Sequence, residues 1–483
     1  MKSISNPEIQ VDARISDGLA QVVDGGYCVG CGTCAALDPG ITIKQDEMKR
    51  YFADLPRDRP PLAQALASCP FATGNPSEDE IAESLFTGSN HLRDPNAGTY
   101  LSAYAGWVLE GEFRLRGSSG GMASWLLTEL LRRNLVDAVI HVAQVSNHPS
   151  EDRKAPLYAF RVSTSEDAVI NNAKSRYYPV EMSDVISHII ETPGRYAVIG
   201  VPCFCKALRL AARQSAVLSE RLTFIVGIVC GHLKSGAFAE ALGWQCGIQP
   251  ENLTAIDFRV KLEGRPASRY GVAVEGIENG RAVNATRQME DLLGANWSHG
   301  LFKYKACEFC DDVLAETADV VLGDAWLPEY ENDYRGTNII VVRNSQITDL
   351  LSDAANKERV HLEDIPIVTA VKSQAGGFRH RRNGLAYRLW MEDEAGAWRP
   401  EKRVIASRSG LSRRLQRVHR LRYELGQASH SAFLSAKKER DFSRFINQIS
   451  PLTRRLSKAE KSPLPIRAAR YLKRKLRSIL KRN

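Results

Sequence analysis

The sequence predicts an α/β fold with a parallel β-sheet at its centre. Residues 196–201 and 222–229 are continuous apolar runs rich in Val and Ile, as parallel strands buried on both faces are. A helical pattern near residues 206–214 separates them, and a strand, a helix and a strand at this spacing form a right-handed crossover. A third apolar run, residues 138–143, follows a helix predicted for residues 122–134 and extends the same sheet.

Composition divides the 483 residues into three predicted domains. A small Cys- and Gly-rich domain covers residues 1–90, the α/β domain covers residues 100–395, and a basic helical extension covers residues 399–483. The polar residues 88–99 are typical of a linker. From Arg399 onward there are 25 basic and 5 acidic residues, whereas 40 basic and 51 acidic residues precede it. The positive charge therefore belongs to the extension, and it does not indicate a core that binds nucleic acid.

The sequence predicts a cytoplasmic protein. No apolar run reaches the roughly 18 residues of a membrane span. The first residues carry acidic side chains and lack the apolar core of a signal peptide. Because the cytosol keeps thiols reduced, the ten cysteines are expected to serve metal binding, redox chemistry or catalysis rather than disulfides.

Four cysteines in the first domain have the pattern of an iron–sulfur site. Cys28, Cys31 and Cys34 form CxxCxxC, and Cys69 directly precedes a proline. Bacterial ferredoxins use such a run, and a 4Fe-4S cluster needs four thiolates. A glycine inside each gap permits the backbone to wrap around a compact cluster. The pattern predicts a ferredoxin-like domain with one 4Fe-4S cluster. The 34 residues before Cys69 depart from the ferredoxin spacing, and a structural zinc site or unliganded thiols are the alternatives.

A second set of cysteines follows the predicted strands. Cys203 comes after the strand at 196–201, and Cys230 comes after the strand at 222–229. Ligands in an open parallel sheet bind beyond the carboxyl ends of strands, so these thiols are expected at one edge. The CxxC pair Cys307 and Cys310 would complete four ligands for a second 4Fe-4S cluster. Zinc or no metal is the alternative, and Cys205 competes with Cys203 for the first position.

A glycine- and serine-rich loop precedes the first predicted helix of the α/β domain. It is the sequence GSSGG, residues Gly117, Ser118, Ser119, Gly120 and Gly121. Glycines let a phosphate approach the helix N-terminus, and the serines can donate hydrogen bonds to it. The loop therefore predicts a phosphate-binding site. A helix cap formed by Ser118 or Ser119 alone is the alternative.

The segment AKSRYYPV, residues 173–180, offers Lys174, Ser175 and Tyr177 outside the predicted strands. A lysine and a tyrosine there could contact a charged, planar cofactor. A solvated loop explains the same composition.

In this order, the motifs resemble those of the coenzyme F-420 hydrogenase/dehydrogenase beta-subunit family, which includes proteins similar to hydroxymethyl-chlorophyll reductase. They span about residues 27–327 and are CVGCGTC, SCP, GSSGG, AKSRYYP, GVPCFCKAL, VCGHLKS, CEFCDD and ADVVLGDAW. The resemblance implies FAD, one or two 4Fe-4S clusters, and a reductase that moves electrons from ferredoxin or a partner subunit to an organic acceptor.

The resemblance also assigns site residues. It places Ser118, Ser119, Gly120 and Gly121 at the FAD phosphates, Lys174, Ser175 and Tyr177 near the flavin, and Cys203, Cys230, Cys307 and Cys310 at the second cluster. The chain departs from the family at Phe204 and Cys205, where Gln and an aliphatic residue are more usual, so the choice between Cys203 and Cys205 stays open. No motif identifies the acceptor.

These observations predict an iron–sulfur flavoprotein oxidoreductase. The N-terminal cluster would receive electrons, and the second cluster would pass them to FAD, which delivers a hydride. His232 and Asp324 are candidates for proton supply, with a structural role as the alternative for each. An electron-transfer subunit without its own substrate site is the alternative function, and a zinc-stabilised binding protein is a third.

The last predicted helix, residues 466–480, is basic and amphipathic. Such a helix suits an anionic membrane surface, which predicts peripheral contact with the inner face of the membrane. An RNA-binding tail and a solvated helix are the alternatives.

Overall fold

The computed structural model describes residues 18–145 and 155–461, and its architecture is α/β. The predicted fold class is therefore confirmed. The strands are, in chain order, β1 (Thr42–Gln45), β2 (Tyr51–Asp54), β3 (Leu92–Asp94), β4 (Gly98–Tyr100), β5 (Ser102–Val108), β6 (Ala138–Gln144), β7 (Tyr158–Ser163), β8 (Tyr196–Gly200), β9 (Leu222–Ile228), β10 (Leu253–Val260), β11 (Gly271–Glu278), β12 (Arg281–Gln288), β13 (Val320–Asp324), β14 (Asn338–Val342) and β15 (Val360–Asp364).

Helices cover both faces of the large sheet and form the C-terminal end of the fold. The helices are, in chain order, α1 (Gly18–Asp24), α2 (Thr33–Leu37), α3 (Ala63–Ala67), α4 (Glu78–Leu85), α5 (Phe113–Arg116), α6 (Met122–Arg132), α7 (Glu166–Asn171), α8 (Ser183–Glu191), α9 (Pro202–Gln214), α10 (Ala216–Arg221), α11 (Ala237–Gln245), α12 (Ser345–Asn356), α13 (Ile367–Ser373), α14 (Ala375–Arg381), α15 (Asn383–Glu394), α16 (Arg413–Glu439) and α17 (Phe442–Glu460).

The large sheet has eight strands in the order β15-β5-β14-β13-β9-β8-β6-β7. Its four central strands are parallel, as the sequence predicts for β6, β8 and β9. The outer strands pair antiparallel. Alternate residues of the central strands pack into two cores, with Val198 on one face and Ala197 on the other. The carboxyl ends of β8, β9 and β13 therefore meet at one edge of the sheet.

Helix α9 begins at Pro202, so the predicted start near residue 206 is wrong. Proline favours the first helical position because its fixed φ suits the helix and its missing N–H is not needed there. Cys203 consequently lies in the first turn of α9, directly after β8, at the carboxyl edge of the sheet.

The N-terminal segment packs on the α/β domain through α2. Gly32 precedes this helix with a φ of 88°, a left-handed conformation that glycine adopts readily. The backbone N–H of Met182 donates to the carbonyl of Cys31 at 2.9 Å. Helix α2 also contacts α3, α8 and α9. The first two predicted domains thus share one hydrophobic core.

Residues 92–100 form a hairpin, which corrects the prediction of a linker at residues 88–99. Strand β3 pairs antiparallel with β4, and the Asp94 carboxylate accepts a hydrogen bond from the backbone N–H of Asn96 in the turn. Arg93 in β3 also pairs with Glu83 of α4 at 2.6 Å. The polar composition therefore belongs to a turn and to ion pairs.

The C-terminal extension is helical, as predicted. Helices α16 and α17 lie side by side and share a core with α11 and with the three-stranded sheet β10-β11-β12. The predicted basic helix at residues 466–480 lies outside the described residues. Within residues 18–145 and 155–461, no helix combines the length and the apolar character needed to cross a membrane.

Replacing Arg343 with Met should lower the free energy of unfolding by about 3–5 kcal/mol. Arg343 is 1% exposed and donates to five backbone carbonyls, which would lose their partner inside the protein. These carbonyls belong to Ala97, Thr99, Leu314, Ala315 and Ala318. Circular dichroism during heating would measure the loss as a lower unfolding midpoint.

Arg195→Met is the matched control, because Arg195 is an exposed arginine that pairs with Asp137. An exposed pair contributes about 1 kcal/mol or less. Equal midpoints for the two variants would contradict the structural role of Arg343.

Candidate functional site

A cavity of about 1200 Å³ opens at the carboxyl edge of the large sheet. The GSSGG loop lines one end, and residues of α14 and α16 line the other. Cys230 and His232, which follow β9, lie in its wall between these ends. Crevices beyond the carboxyl ends of strands are where open α/β sheets bind ligands. The cavity is therefore the candidate site.

The GSSGG loop is held by hydrogen bonds to neighbouring segments. The Ser119 hydroxyl donates to the carbonyl of Thr337 at 2.8 Å, and the Ser118 hydroxyl accepts from the backbone N–H of Ser175 at 2.8 Å. Helix α6 then begins after Gly121 with no capping hydrogen bond from Ser118 or Ser119, and the backbone N–H of Met122 donates instead to Oδ1 of Asn338 at 3.2 Å. The two serines thus join the loop to the rest of the site, and the alternative of a simple serine cap is wrong.

Arg259 in β10 connects the predicted site residues, although the sequence analysis missed it. Its guanidinium donates to both carboxylate oxygens of Asp324, at 3.0 and 3.1 Å. It also donates to the Tyr177 hydroxyl at 3.0 Å and to the Ser118 carbonyl at 3.1 Å. Asp324 is therefore the ion-pair partner of a buried arginine. An arginine between the apolar residues Phe258 and Val260 was the available signal.

Two lysines add positive charge beside the loop. The Lys174 ammonium pairs with Asp257 at 3.1 Å and donates to the carbonyl of Arg259. The Lys261 ammonium, also missed by the sequence analysis, donates to the carbonyl of Ser119 at 2.9 Å. Burial, and then the neighbouring cations, lower the pKa of Lys261 to about 7. An anion bound at this loop would favour the charged form of Lys261.

Trp297 connects the loop end of the cavity with the residues after β9. Its ring lies 4.7 Å from the Tyr177 ring and 4.5 Å from the His232 ring, measured between centroids. Nε2 of His232 is buried without a hydrogen-bond partner in the described part of the chain. Burial, together with the charges of Lys234 and Lys303, lowers the pKa of His232 well below its usual range. The imidazole is thus neutral, with a free ring nitrogen at the cavity.

The first cysteine group is Cys28, Cys31, Cys34 and Cys69. Cys31, Cys34 and Cys69 are buried in one hydrophobic core, and Cys28 packs against it. Burial, and then the charges of the other three thiols, raise the pKa of Cys34 well above its usual range. The Cys28 sulfur accepts hydrogen bonds from the backbone N–H groups of Gly30 and Ala53, both at 3.4 Å. Such N–H donors stabilise thiolates that ligate iron.

The second cysteine group is Cys203, Cys230, Cys307 and Cys310. Burial, and then the charges of Cys310, Cys230 and Cys307, raise the pKa of Cys203. The Cys205 thiol instead donates to the carbonyl of Gly200 at 3.4 Å. This hydrogen bond favours Cys203 over Cys205 as the fourth member of the group. Helix α2, which carries Cys34, contacts α9, which carries Cys203, so the two groups are adjacent.

Arg381 lies beside the second cysteine group. It is 1% exposed and donates to the carbonyls of Gly231, at 2.8 Å, and Asp312. The charges of Cys310, Cys230 and Cys307 raise the pKa of Arg381, so it stays a cation next to these thiols.

Within the described ranges, no group of three or more His, Cys, Asp or Glu residues has the arrangement that a single metal ion needs. A four-iron cluster holds its thiolates farther apart than one ion does, because iron and sulfide lie between them.

Replacing Gly121 with Ala should destabilise the GSSGG loop by about 2 kcal/mol. Gly121 has a φ of 83°, and an added Cβ would lie 2.5 Å from the backbone of Phe113. Gly410→Ala is the control, since Gly410 lines the same cavity and its Cβ would meet nothing within 4 Å. Thermal unfolding of both variants tests this, and equal midpoints would contradict it.

Comparison with known proteins identifies the family. The model for the N-terminal part of the coenzyme F420 hydrogenase/dehydrogenase beta subunit matches residues 103–187, and the model for its C terminus matches residues 194–367. Together these matches cover more than half of the chain.

The relatives include the coenzyme F420-dependent sulfite reductase of Methanocaldococcus jannaschii, which is 21% identical over 73% of this chain and 50% of its own length. One subunit of the F(420)H(2) dehydrogenase of Methanosarcina mazei is 22% identical over 44% of this chain and 55% of its own length. The chain thus spans about half the length of these relatives.

Among solved structures, the F420-reducing [NiFe] hydrogenase complex from Methanosarcina barkeri contains a chain with 16% identity and a TM-score of 0.44. The match covers 63% of this chain and 96% of that one. The family assignment depends on the sequence matches, which confirm the predicted resemblance. The chain belongs to the coenzyme F420 hydrogenase/dehydrogenase beta-subunit family, a family of oxidoreductases that take part in electron transfer.

Proposed function

We propose that the chain is an iron–sulfur flavoprotein oxidoreductase that receives electrons from ferredoxin or a partner redox subunit and reduces an organic acceptor. One observation carries the proposal: a single cavity is lined by both the GSSGG loop and Cys230. A molecule held by the loop would therefore lie against a residue of the second cysteine group.

The two cysteine groups suit 4Fe-4S clusters as ligand sets. Each group supplies four buried or half-buried thiols, and each receives at least one backbone N–H donor at sulfur. Iron–sulfur clusters transfer single electrons, and their potentials depend on nearby hydrogen bonds and charge. In the proposal, the first group lies on the donor side and the second lies on the cavity side.

The cavity suits FAD. Its volume of about 1200 Å³ exceeds the size of common small-molecule sites, as a dinucleotide requires. Gly117, Ser118, Ser119, Gly120 and Gly121 would hold the phosphates, with Lys174 and Ser175 beside them and Tyr177 near the flavin. A bound flavin collects single electrons and transfers a pair of them as hydride. Coenzyme F420 is the competing occupant, because both curated relatives carry it in their names.

His232 and Asp324 have different proposed roles. Reduction of one acceptor consumes two electrons from the donor and two protons. His232 would hold and pass a proton at Nε2, which has no other described partner. Asp324 would orient Arg259, which in turn fixes Tyr177 and the carbonyl of Ser118.

An electron-transfer subunit without its own substrate site is the second candidate function. The Methanosarcina mazei relative favours it, because its name describes one subunit of a dehydrogenase. Turnover of an acceptor by the isolated chain with a chemical reductant would separate the two functions. A cytoplasmic location is part of either proposal, and it is supported by ten free cysteines.

Anaerobic purification with iron, sulfide and cofactor analysis should give about eight irons and one flavin per chain. Extraction and chromatography distinguish FAD from F420. A chain without iron would overturn the proposal, and F420 in place of FAD would correct the cofactor.

Cys203→Ser should lose about half of the iron, because it removes a ligand of one of two proposed clusters. Cys205→Ser is the matched control, since this neighbour lies outside the second cysteine group and its hydroxyl can keep the hydrogen bond to Gly200. Iron loss in Cys205→Ser with full iron in Cys203→Ser would reverse the assignment.

A further inference from the structure

We infer that the end of the cavity built by the C-terminal helices binds an organic anion with an apolar body. This inference rests on the proposed function, since such a molecule would be the electron acceptor. Three features of the described residues support it: the origin of this wall, its charge and its apolar surface.

The match to the family model ends at residue 367, and the residues that form the wall at this end follow it in the chain. Arg379 and His380 of α14, Asn383 at the start of α15, and residues of α16 contribute to it. These helices converge closely: the His380 ring lies 6.0 Å from the His419 ring of α16. The C-terminal extension therefore shapes a part of the cavity that the shared family region does not.

Positive charge dominates the cavity lining. It contains eight lysines and arginines but only two acidic residues, Asp324 and Glu460. Both acids are neutralised, because Asp324 pairs with Arg259 at 3.0 Å and Glu460 pairs with Arg422 at 2.7 Å. A net positive lining attracts an anion. Keeping these charges costs little free energy, because the cavity is accessible to water.

Two arginines at this end have no acidic partner among residues 18–145 and 155–461. Arg379 is exposed at the cavity, and Arg414 donates through Nη1 to the carbonyls of Ala459 and Glu460, at 3.1 and 3.2 Å. These carbonyls fix the side chain of Arg414 without neutralising it. A guanidinium with unused N–H groups suits a carboxylate, phosphate or sulfonate.

Apolar side chains lie beside these cations. Leu411, Leu415 and Val418 belong to the same wall, and Trp297 stands on the side of the cavity toward His232. An apolar body could pack on them while its anionic group meets Arg379 and Arg414. A simple inorganic anion would not use this surface.

Lys234 also lines the cavity, and burial lowers its pKa well below the usual range. It is 2% exposed, and its amino group donates to the carbonyl of Leu301 and lies 4.9 Å from the Trp297 ring. Lys303 is neutralised by Glu308. The positive charge at this end therefore rests on Arg379 and Arg414, which line the same cavity as Cys230, where the acceptor would be reduced.

Two fluorescent probes test the inference on the purified full chain. They are 8-anilino-1-naphthalenesulfonate and N-phenyl-1-naphthylamine, which share the aromatic body and differ in the sulfonate. The wild-type chain should bind the sulfonate more tightly. The double variant Arg379→Gln/Arg414→Gln should weaken sulfonate binding about tenfold and leave the neutral probe unchanged.

Arg417→Gln/Arg420→Gln is the matched control, because these arginines lie on the exposed side of the same helix and outside the cavity lining. Equal thermal midpoints for both double variants show that they are folded. Equal affinity of the wild-type chain for both probes, or unchanged sulfonate binding in Arg379→Gln/Arg414→Gln, would overturn the inference. So would a loss confined to Lys174→Gln, which would put the anion at the phosphate loop.

The inference and the proposed function can fail separately. Iron and cofactor analysis decides whether the chain is an iron–sulfur flavoprotein, and it does not depend on the probes. A chain without iron could still bind the sulfonate through Arg379 and Arg414, which would keep the anion site and remove its redox role.

Discussion

Buried arginines hold the irregular segment that carries Cys307 and Cys310. Between residues 308 and 318 the chain crosses the interior with little regular structure, so its carbonyls need donors from other segments. Five arginine side chains supply them: Arg209, Arg343, Arg381, Arg382 and Arg388. Water cannot replace these donors inside the protein. The position of the CxxC pair against Cys203 and Cys230 therefore depends on long side chains from distant helices and strands.

The parallel strands at the centre of the sheet could be predicted, because continuous Val- and Ile-rich runs in a globular protein are typical of strands buried on both faces. The hairpin at residues 92–100 could not, since a polar turn and a linker have the same composition. The start of α9 was placed too late because the sequence analysis did not use Pro202, which follows the predicted strand and favours the first turn of a helix.

The rule for carboxyl edges predicted only that Cys203 and Cys230 share one edge, and the resemblance assigned the GSSGG loop and Tyr177 to a flavin. The structure brings the loop, Tyr177 and Cys230 to one cavity. Arg259, Lys261 and Trp297 were missed, because their positions depend on how a separate antiparallel sheet and a short turn pack over that edge. The sequence analysis also did not predict that the C-terminal helices line part of the cavity. From its sequence alone, a charge-rich helix is expected to be exposed to solvent. The structure is needed to show that its apolar side packs against other elements of the fold.

Arg381 gives the two cysteine groups different electrostatic surroundings. Its guanidinium is buried against Cys230, Cys307 and Cys310, where solvent screens it little. Gaining an electron adds negative charge to a cluster, and a fixed cation stabilises that reduced state. If both groups hold the clusters that we propose, Arg381 would raise the reduction potential of the second cluster, and the charges of Asp311 and Asp312 near Cys310 would oppose it. The balance of these buried charges would then set how readily an electron stays beside the cavity.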